Sequence, residues 1–219
     1  MPDSSIGKKF LMAATGLILL AFVIGHLLGN LLVFAGPEAL NGYARKLRDL
    51  GELLWLVRVI LIAAIAVHIW TSVALAHDNA RARPIGYTRF RTSETTWAAR
   101  TMLLSGIIVL AYILYHLLHF TFRVAHPALT PPPDPAGHPD VYAMVVRSFQ
   151  RWPICAAYLA GVGCVCLHLS HGAASAFQTL GLNDARTLPV FTAAGRIIAT
   201  LIFLGYAAIP LAVLAGFVR

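Results

Sequence analysis

The chain has 219 residues, 58% of them hydrophobic and only 12% charged, with a formal net charge of +8. A soluble domain of this length carries about twice that share of charge, so a soluble enzyme or binding module is excluded. The positive charge does not point to nucleic acid either: it sits in short loops between apolar runs, where Lys and Arg set membrane orientation.

Five runs are long and apolar enough to cross a bilayer: residues 10–34, 53–76, 101–122, 153–177 and 197–218. Four of them contain no Asp, Glu, Lys or Arg, and the second contains only Arg58. The first follows Lys8 and Lys9 but is too long for a signal peptide and has no clean small-residue cleavage site, so it is read as a retained span. The expected architecture is all-α, a five-helix transmembrane bundle forming one domain over 1–219.

Taken in chain order, the links are short except for 123–152. That segment opens with "HPALTPPPDPAGHPD", whose prolines forbid a continuous helix. It resumes as "VYAMVVRSFQRW", whose spacing predicts a short interfacial helix before the fourth span. Trp55, Trp97 and Trp152 sit at span ends, as interfacial aromatics do. Arg81, Arg83, Arg89, Arg91 and Arg100 in the second link mark it as cytoplasmic, which with Lys8 and Lys9 puts the N-terminus inside. Cys155, Cys164 and Cys166 all fall in the fourth span; they read as small buried hydrophobes rather than as a disulfide or cluster framework.

Chemistry is concentrated in histidine. Four spans carry it deep in an apolar run: His26, His68, His116 with His119, and His168 with His171. Ionisable residues there are costly and face the bundle interior for a reason. Depth from the cytoplasmic end is ~24 Å for His26, ~23 Å for His116, ~12 Å for His68 and ~14 Å for His168, at the helical rise per residue. The four therefore form two pairs at two levels, ~10 Å apart. Two facing imidazoles supply the two axial nitrogens of a six-coordinate haem iron. Gly25 and Gly29 beside His26, and Gly161, Gly163 and Gly172 on the fourth span, leave room for a macrocycle or for ordinary helix contact. His171 reads as a partner of His168 or of a haem propionate. A di-iron histidine box would need its histidines gathered at one membrane face, whereas these H-x-x-H pairs lie on opposite sides.

The segments "SSIGKKFLMAATGL", "IGHLLGNLLVFAGPEALNGYA", "LGELLWLVR", "RTMLLSGIIVLAYILYHLLHFT", "VYAMVV" and "LHLSHGAASAFQTLGLN" run nearly the whole chain. With them the sequence resembles the cytochrome b558-type membrane anchor of succinate:quinone oxidoreductase (succinate dehydrogenase and fumarate reductase). The resemblance implies five transmembrane helices and two b haems in a bacterial cytoplasmic membrane. It also implies two partner subunits: a flavoprotein with covalent FAD and an iron–sulfur protein. The axial ligands it implies are His26 with His116, and His68 with His168, with His119 the competitor of His116.

It further implies a quinone site near a haem, with menaquinone the expected quinone. Glu52, Arg58 and Trp55 are candidates on the outer side, where Glu52 and Arg58 read equally well as an interfacial ion pair. On the inner side Ser4, Ser5, Lys8, Lys9, Trp97, Arg100 and Gln178 are candidates for haem propionates or for the iron–sulfur subunit; the basic ones read equally as headgroup anchors. Some relatives carry a glutamate near the inner ligand, suited to moving protons. Here Cys166 stands two before His168 and the last three spans have no carboxylate, which argues against a proton path through this chain. Other membrane dehydrogenases with a cytochrome b subunit are the alternative assignment.

Overall fold

A computed structural model describes residues 4–82, 101–182, 184 and 186–219. These are helical, with no strand among them. Five helices are long and apolar enough to span a membrane, so the chain is a multi-pass membrane protein. They belong to α1 (Ser5–Asn30), α3 (Glu52–Arg81), α4 (Met102–His116), α6 (Trp152–Thr179) and α7 (Leu188–Leu214). Two shorter helices, α2 (Pro37–Asp49) and α5 (Val141–Phe149), cap the end of the bundle opposite the N-terminus, called the far end below.

Local chemistry explains the boundaries. The Ser4 hydroxyl accepts the Gly7 N–H at 3.1 Å and starts α1 five residues before the apolar run. Proline in the first turn opens α2, α6 and α7. The last span is displaced from the expected 197–218: α7 begins at Leu188, carries the exposed Arg196 within it, and stops before Gly216 at φ 79°. A long Arg side chain reaches out along a helix without ending it, whereas an apolar-run criterion stops there.

The link after the first span is more than a short connection. Five residues of 3-10 helix (Leu31–Ala35) lead to Gly36 at φ 94°, which turns the chain into α2. Glu38 in the first turn and Lys46 and Arg48 in the last complement the α2 dipole. Gly29 lets α2 fold back under α1: a Cβ there would lie 2.6 Å from Cε1 of Tyr43.

The expected short helix is present as α5, but most of it is buried instead of floating at the interface. Met144, Val145, Val146, Ser148 and Phe149 face inward. Asp140 caps it by accepting the Ala143 N–H at 2.9 Å, and also accepts from the Asn41 amide at 2.9 Å. Asn41 in turn accepts the Tyr142 N–H at 3.0 Å, which latches α2 to α5. The core under this latch joins Val33, Leu40, Val146, Phe149, Tyr158 and Val213. Ile62, Leu104 and Leu201 point outward and are exposed, the pattern of a surface solvated by lipid.

In the bundle α6 is central and packs against α7, α1 and α4, while α1 also packs against α3. Gly161 permits the close α6–α4 approach, since a Cβ there would collide with the Tyr112 ring.

Candidate functional site: two histidine pairs

The bundle brings four histidines together two by two. His68 on α3 and His168 on α6 have ring centres 6.4 Å apart, and His26 on α1 and His116 on α4 have theirs 5.9 Å apart. The first pair lies level with Thr15 and Gly16 of α1 and with Ser105 and Gly106 of α4. On either helix the second pair is about ten residues further along, which separates the levels by ~15 Å. The ~10 Å read from sequence is smaller because it compares depths counted from the ends of four different helices, which need not be level, whereas counting along one helix needs no common end.

Hydrogen bonds decide the tautomers of the first pair. The Thr15 hydroxyl donates to the Leu11 carbonyl at 2.7 Å, and Nδ1 of His68 lies 3.2 Å from both Thr15 Oγ1 and the Met12 carbonyl. A carbonyl only accepts, so the proton is on Nδ1. Likewise Ser105 Oγ lies 3.0 Å from both the Met102 carbonyl and Nδ1 of His168; with its one proton given to the carbonyl, it accepts from Nδ1. Both imidazoles thus keep an Nε2 lone pair, the form that binds a metal.

The second pair is held differently. His26 stacks on Phe22 with ring centres 5.2 Å apart, and Tyr206, whose hydroxyl donates to the Val23 carbonyl at 2.9 Å, lies 6.3 Å from it. His116 touches Tyr112, Phe120 and Tyr158, and its Nδ1 is buried without a hydrogen-bond partner. His119 is fully buried, and both its ring nitrogens are engaged, Nδ1 with the Tyr158 hydroxyl and Nε2 with Ser148 Oγ, each at 3.0 Å. The reason His116 and His119 do not share a face is the π-helical turn Leu117–Thr121, which rotates His119 away from His26 and toward α5 and α6.

The spacing in both pairs suits a metal ion that His26 with His116, or His68 with His168, would hold. Two imidazoles bonded to one metal ion at about 2 Å each have ring centres about 6 Å apart, as both pairs do. Glycine also lets the first pair sit close to its neighbouring helices: a Cβ at Gly16 would lie 3.3 Å from Cε1 of His68, and one at Gly106 3.6 Å from Cε1 of His168. Among the described residues no three His, Cys, Asp or Glu side chains converge. Each pair therefore offers two nitrogens, which is what a macrocycle-bound iron takes from a protein.

The remaining candidates are dispersed. Lys8 is paired with Asp78 at 2.6 Å, tying α1 to α3 at the N-terminal end. Lys9 and Gln178 line a cleft of about 470 Å³ with Phe10, Met12, Ser175 and Thr179. Ser5 opens α1, and His171 lies one turn past His168 without a hydrogen bond to a described residue. Trp97 and Arg100 lie outside the described residues, as do Arg83, Arg89 and Arg91. At the far end the Arg58 guanidinium sits 4.8 Å over the Trp55 ring. Glu52 opens α3 and is exposed. The ion pair considered for Glu52 and Arg58 is not among those of the described residues. Residues six apart diverge by about a third of a turn around a helix.

Thr15, Ser105, Tyr158 and Ser148 were not found by sequence reasoning. The only signal of Thr15, Ser105 and Ser148 was a hydroxyl inside a helix, which is commonly satisfied by its own backbone. No known protein family, curated protein or solved structure matches the chain.

Proposed function

We propose that this chain is the dihaem cytochrome b anchor of a succinate:quinone oxidoreductase, carrying electrons from an iron–sulfur partner subunit to membrane quinone, with menaquinone the expected acceptor. The observation that carries the reading is the two histidine pairs, with ring centres 5.9 and 6.4 Å apart, on two levels of one bundle. His68 and His168 would hold one haem, and His26 and His116 the other. Haem iron supplies reversible one-electron transfer at each level. Thr15, the Met12 carbonyl and Ser105 keep the first two imidazoles in the ligating tautomer, and the apolar helices keep water away from both.

The dicarboxylate chemistry belongs to the partners, since the sequence holds no set of flavin or iron–sulfur ligands. The proposed setting is a bacterial cytoplasmic membrane with the N-terminus inside, facing the flavoprotein and iron–sulfur subunits. The segment resemblance supports succinate over another dehydrogenase; the histidine geometry alone serves either.

The test is a pyridine haemochrome assay with a reduced-minus-oxidised spectrum on the purified membrane complex. Two b haems per chain and a co-purifying covalent flavoprotein are expected. A molybdenum or nickel partner would transfer the chain to another dehydrogenase, and absence of haem would reduce the histidines to helix packing.

A further inference from the structure

His119 is a fully buried polar ring that belongs to neither histidine pair. A polar side chain at this depth is costly and calls for a task. Its hydrogen bonds run in one direction. The Ser148 hydroxyl has a single proton and lies 2.7 Å from the Met144 carbonyl, which only accepts. Ser148 Oγ therefore accepts from Nε2 of His119 at 3.0 Å. With the ring proton on Nε2, Nδ1 is the acceptor, and the Tyr158 hydroxyl donates to it at 3.0 Å. His119 is thus left without a free lone pair for a metal.

His116, three residues earlier, has the opposite deficiency. Its Nδ1 is buried and has no hydrogen-bond partner, so no bond of its own sets the rotation of the ring. Neighbouring rings set it instead: Tyr112, Phe120 and Tyr158 have centres 6.3, 5.7 and 5.9 Å from that of His116. Tyr158 is the hub of this cage, with Tyr112, Tyr115, Phe120 and Phe149 packed round it at 5.6, 5.6, 5.5 and 5.1 Å. Among the described residues the partner of its hydroxyl is His119.

A connected line therefore runs from a short helix to a ring of the second pair. It passes from Met144 and Ser148 on α5 to His119 in the π-helical turn, then to Tyr158 on α6 and on to His116. The start of the line is fixed, because Asp140 and Asn41 latch α5 to α2. At its end the rings of His26 and His116 stand at 87° to each other, against 67° for His68 and His168. A ring without a hydrogen bond keeps such an angle only when its neighbours are locked.

We propose that His119 is the positioning residue of the second pair: it fixes the Tyr158 hydroxyl and the π-helical turn, and so holds the His116 ring at its angle to His26. It acts through Tyr158 and supplies no nitrogen of its own. The two histidines of H-x-x-H on this span thus have different tasks, one to face His26 and one to hold the first in place. The redox consequence rests on the proposed haem function; the ring angle is a property of the chain.

The experiment compares wild type with His119→Gln, His119→Phe and Tyr158→Phe in the full purified complex. Glutamine carries a donor for Ser148 and an acceptor for Tyr158, whereas phenylalanine fills the space and serves neither. Tyr158→Phe keeps the ring and removes only its tie. Low-temperature electron paramagnetic resonance reads the angle between the axial rings of each ferric haem, and potentiometric titration reads its potential. The haem at His68 and His168 is the internal control and should not change. Both phenylalanine variants should move the resonance of the haem that His26→Ala removes. They should also change its reduced-to-oxidised ratio at fixed potential by about threefold or more, ~28 mV for one electron. His119→Gln should return both readouts toward wild type. Wild-type resonance and ratio in both phenylalanine variants, with only the thermal stability lowered, overturn the proposal. Loss of that haem from both His119 variants, with its retention in His116→Ala, overturns it too and makes His119 the ligand. A wild type without any haem band refutes the haem reading alone. Nuclear magnetic resonance of ring-nitrogen-labelled histidine then decides the positioning: the His116 signal moves in Tyr158→Phe if the tie holds it, and an unmoved signal sinks the proposal.

Discussion

The pair His68/His168 and the pair His26/His116 use the same residue type on neighbouring helices of one bundle, yet only the first has each ring tied down through Nδ1. Thr15, Met12 and Ser105 accept those protons. Around the second pair stand Phe22, Tyr112, Phe120, Tyr158 and Tyr206, which pack the rings and leave Nδ1 of His116 without a partner. One level is oriented by hydrogen bonds, the other by aromatic packing. Hydrogen-bonded imidazoles are more basic ligands. The two levels should therefore respond differently to substitution.

The largest expected effect is loss of a whole level. On the proposed function, His68→Ala should leave one haem per chain, and His26→Ala should leave the other, each without disturbing its counterpart. Sites about 15 Å apart with no shared partners act independently. The haemochrome assay reads this directly, and loss of both haems from either variant would break the two-level description.

Next comes packing. Gly161→Ala puts a methyl into the Tyr112 ring, which also borders His116. Overpacking of this kind costs roughly 1–3 kcal/mol, so thermal unfolding in detergent should move down and only the far-level spectrum should change. Tyr158→Phe removes one of the two hydrogen bonds of buried His119 and should cost about 1–3 kcal/mol, because a buried polar group is left unsatisfied. Thermal unfolding in detergent should move down while, on the proposed function, the number of haems stays at two.

A subtler effect is expected from Ser105→Ala, which frees the Nδ1 proton of His168 without touching the far pair. A less basic ligand stabilises ferric iron less, so one haem potential should rise by roughly tens of millivolts while the other stays put. Thr15→Val should move the same haem less, because the Met12 carbonyl remains as an acceptor.

The smallest effect lies in the proline-rich loop. Asp134 accepts the N–H groups of Ala136 and His138, and these bonds, His138 foremost, hold its pKa below the ordinary carboxylate value. Its contribution is therefore complete above the usual carboxylate range and is lost as pH falls through the lowered value. The protection factor of the His138 amide against hydrogen exchange should be unchanged from neutral pH to about 5 and fall only in stronger acid.

Much of this was legible in the chain. Five apolar runs announced five spans, because a bilayer core demands about twenty apolar residues whatever the neighbours are. The pairing of His26 with His116 and of His68 with His168 followed from depth, because helical rise is constant. The helix within 35–52 was harder to see, although Pro37 and Glu38 at its start and Lys46 and Arg48 at its end are ordinary helix signals. It is polar overall, and apolar runs draw attention away from it.

Sequence separated His116 from His119 only by depth, which favours His116 modestly. Three residues apart on a regular helix, they share a face; the π-helical turn that parts them is a local rearrangement offset by hydrogen bonds to Tyr158 and Ser148 from two other elements. The same holds for Thr15 and Ser105, whose distances to His68 and His168 exist only once α1, α3, α4 and α6 are assembled. By itself the sequence determined membrane class, span number and the levels at which imidazoles lie, since hydrophobic length and helical rise are properties of a single segment. Which ring nitrogen is tied, and which of His116 and His119 faces His26, were decided by tertiary structure, because each depends on side chains from different helices meeting within hydrogen-bond range.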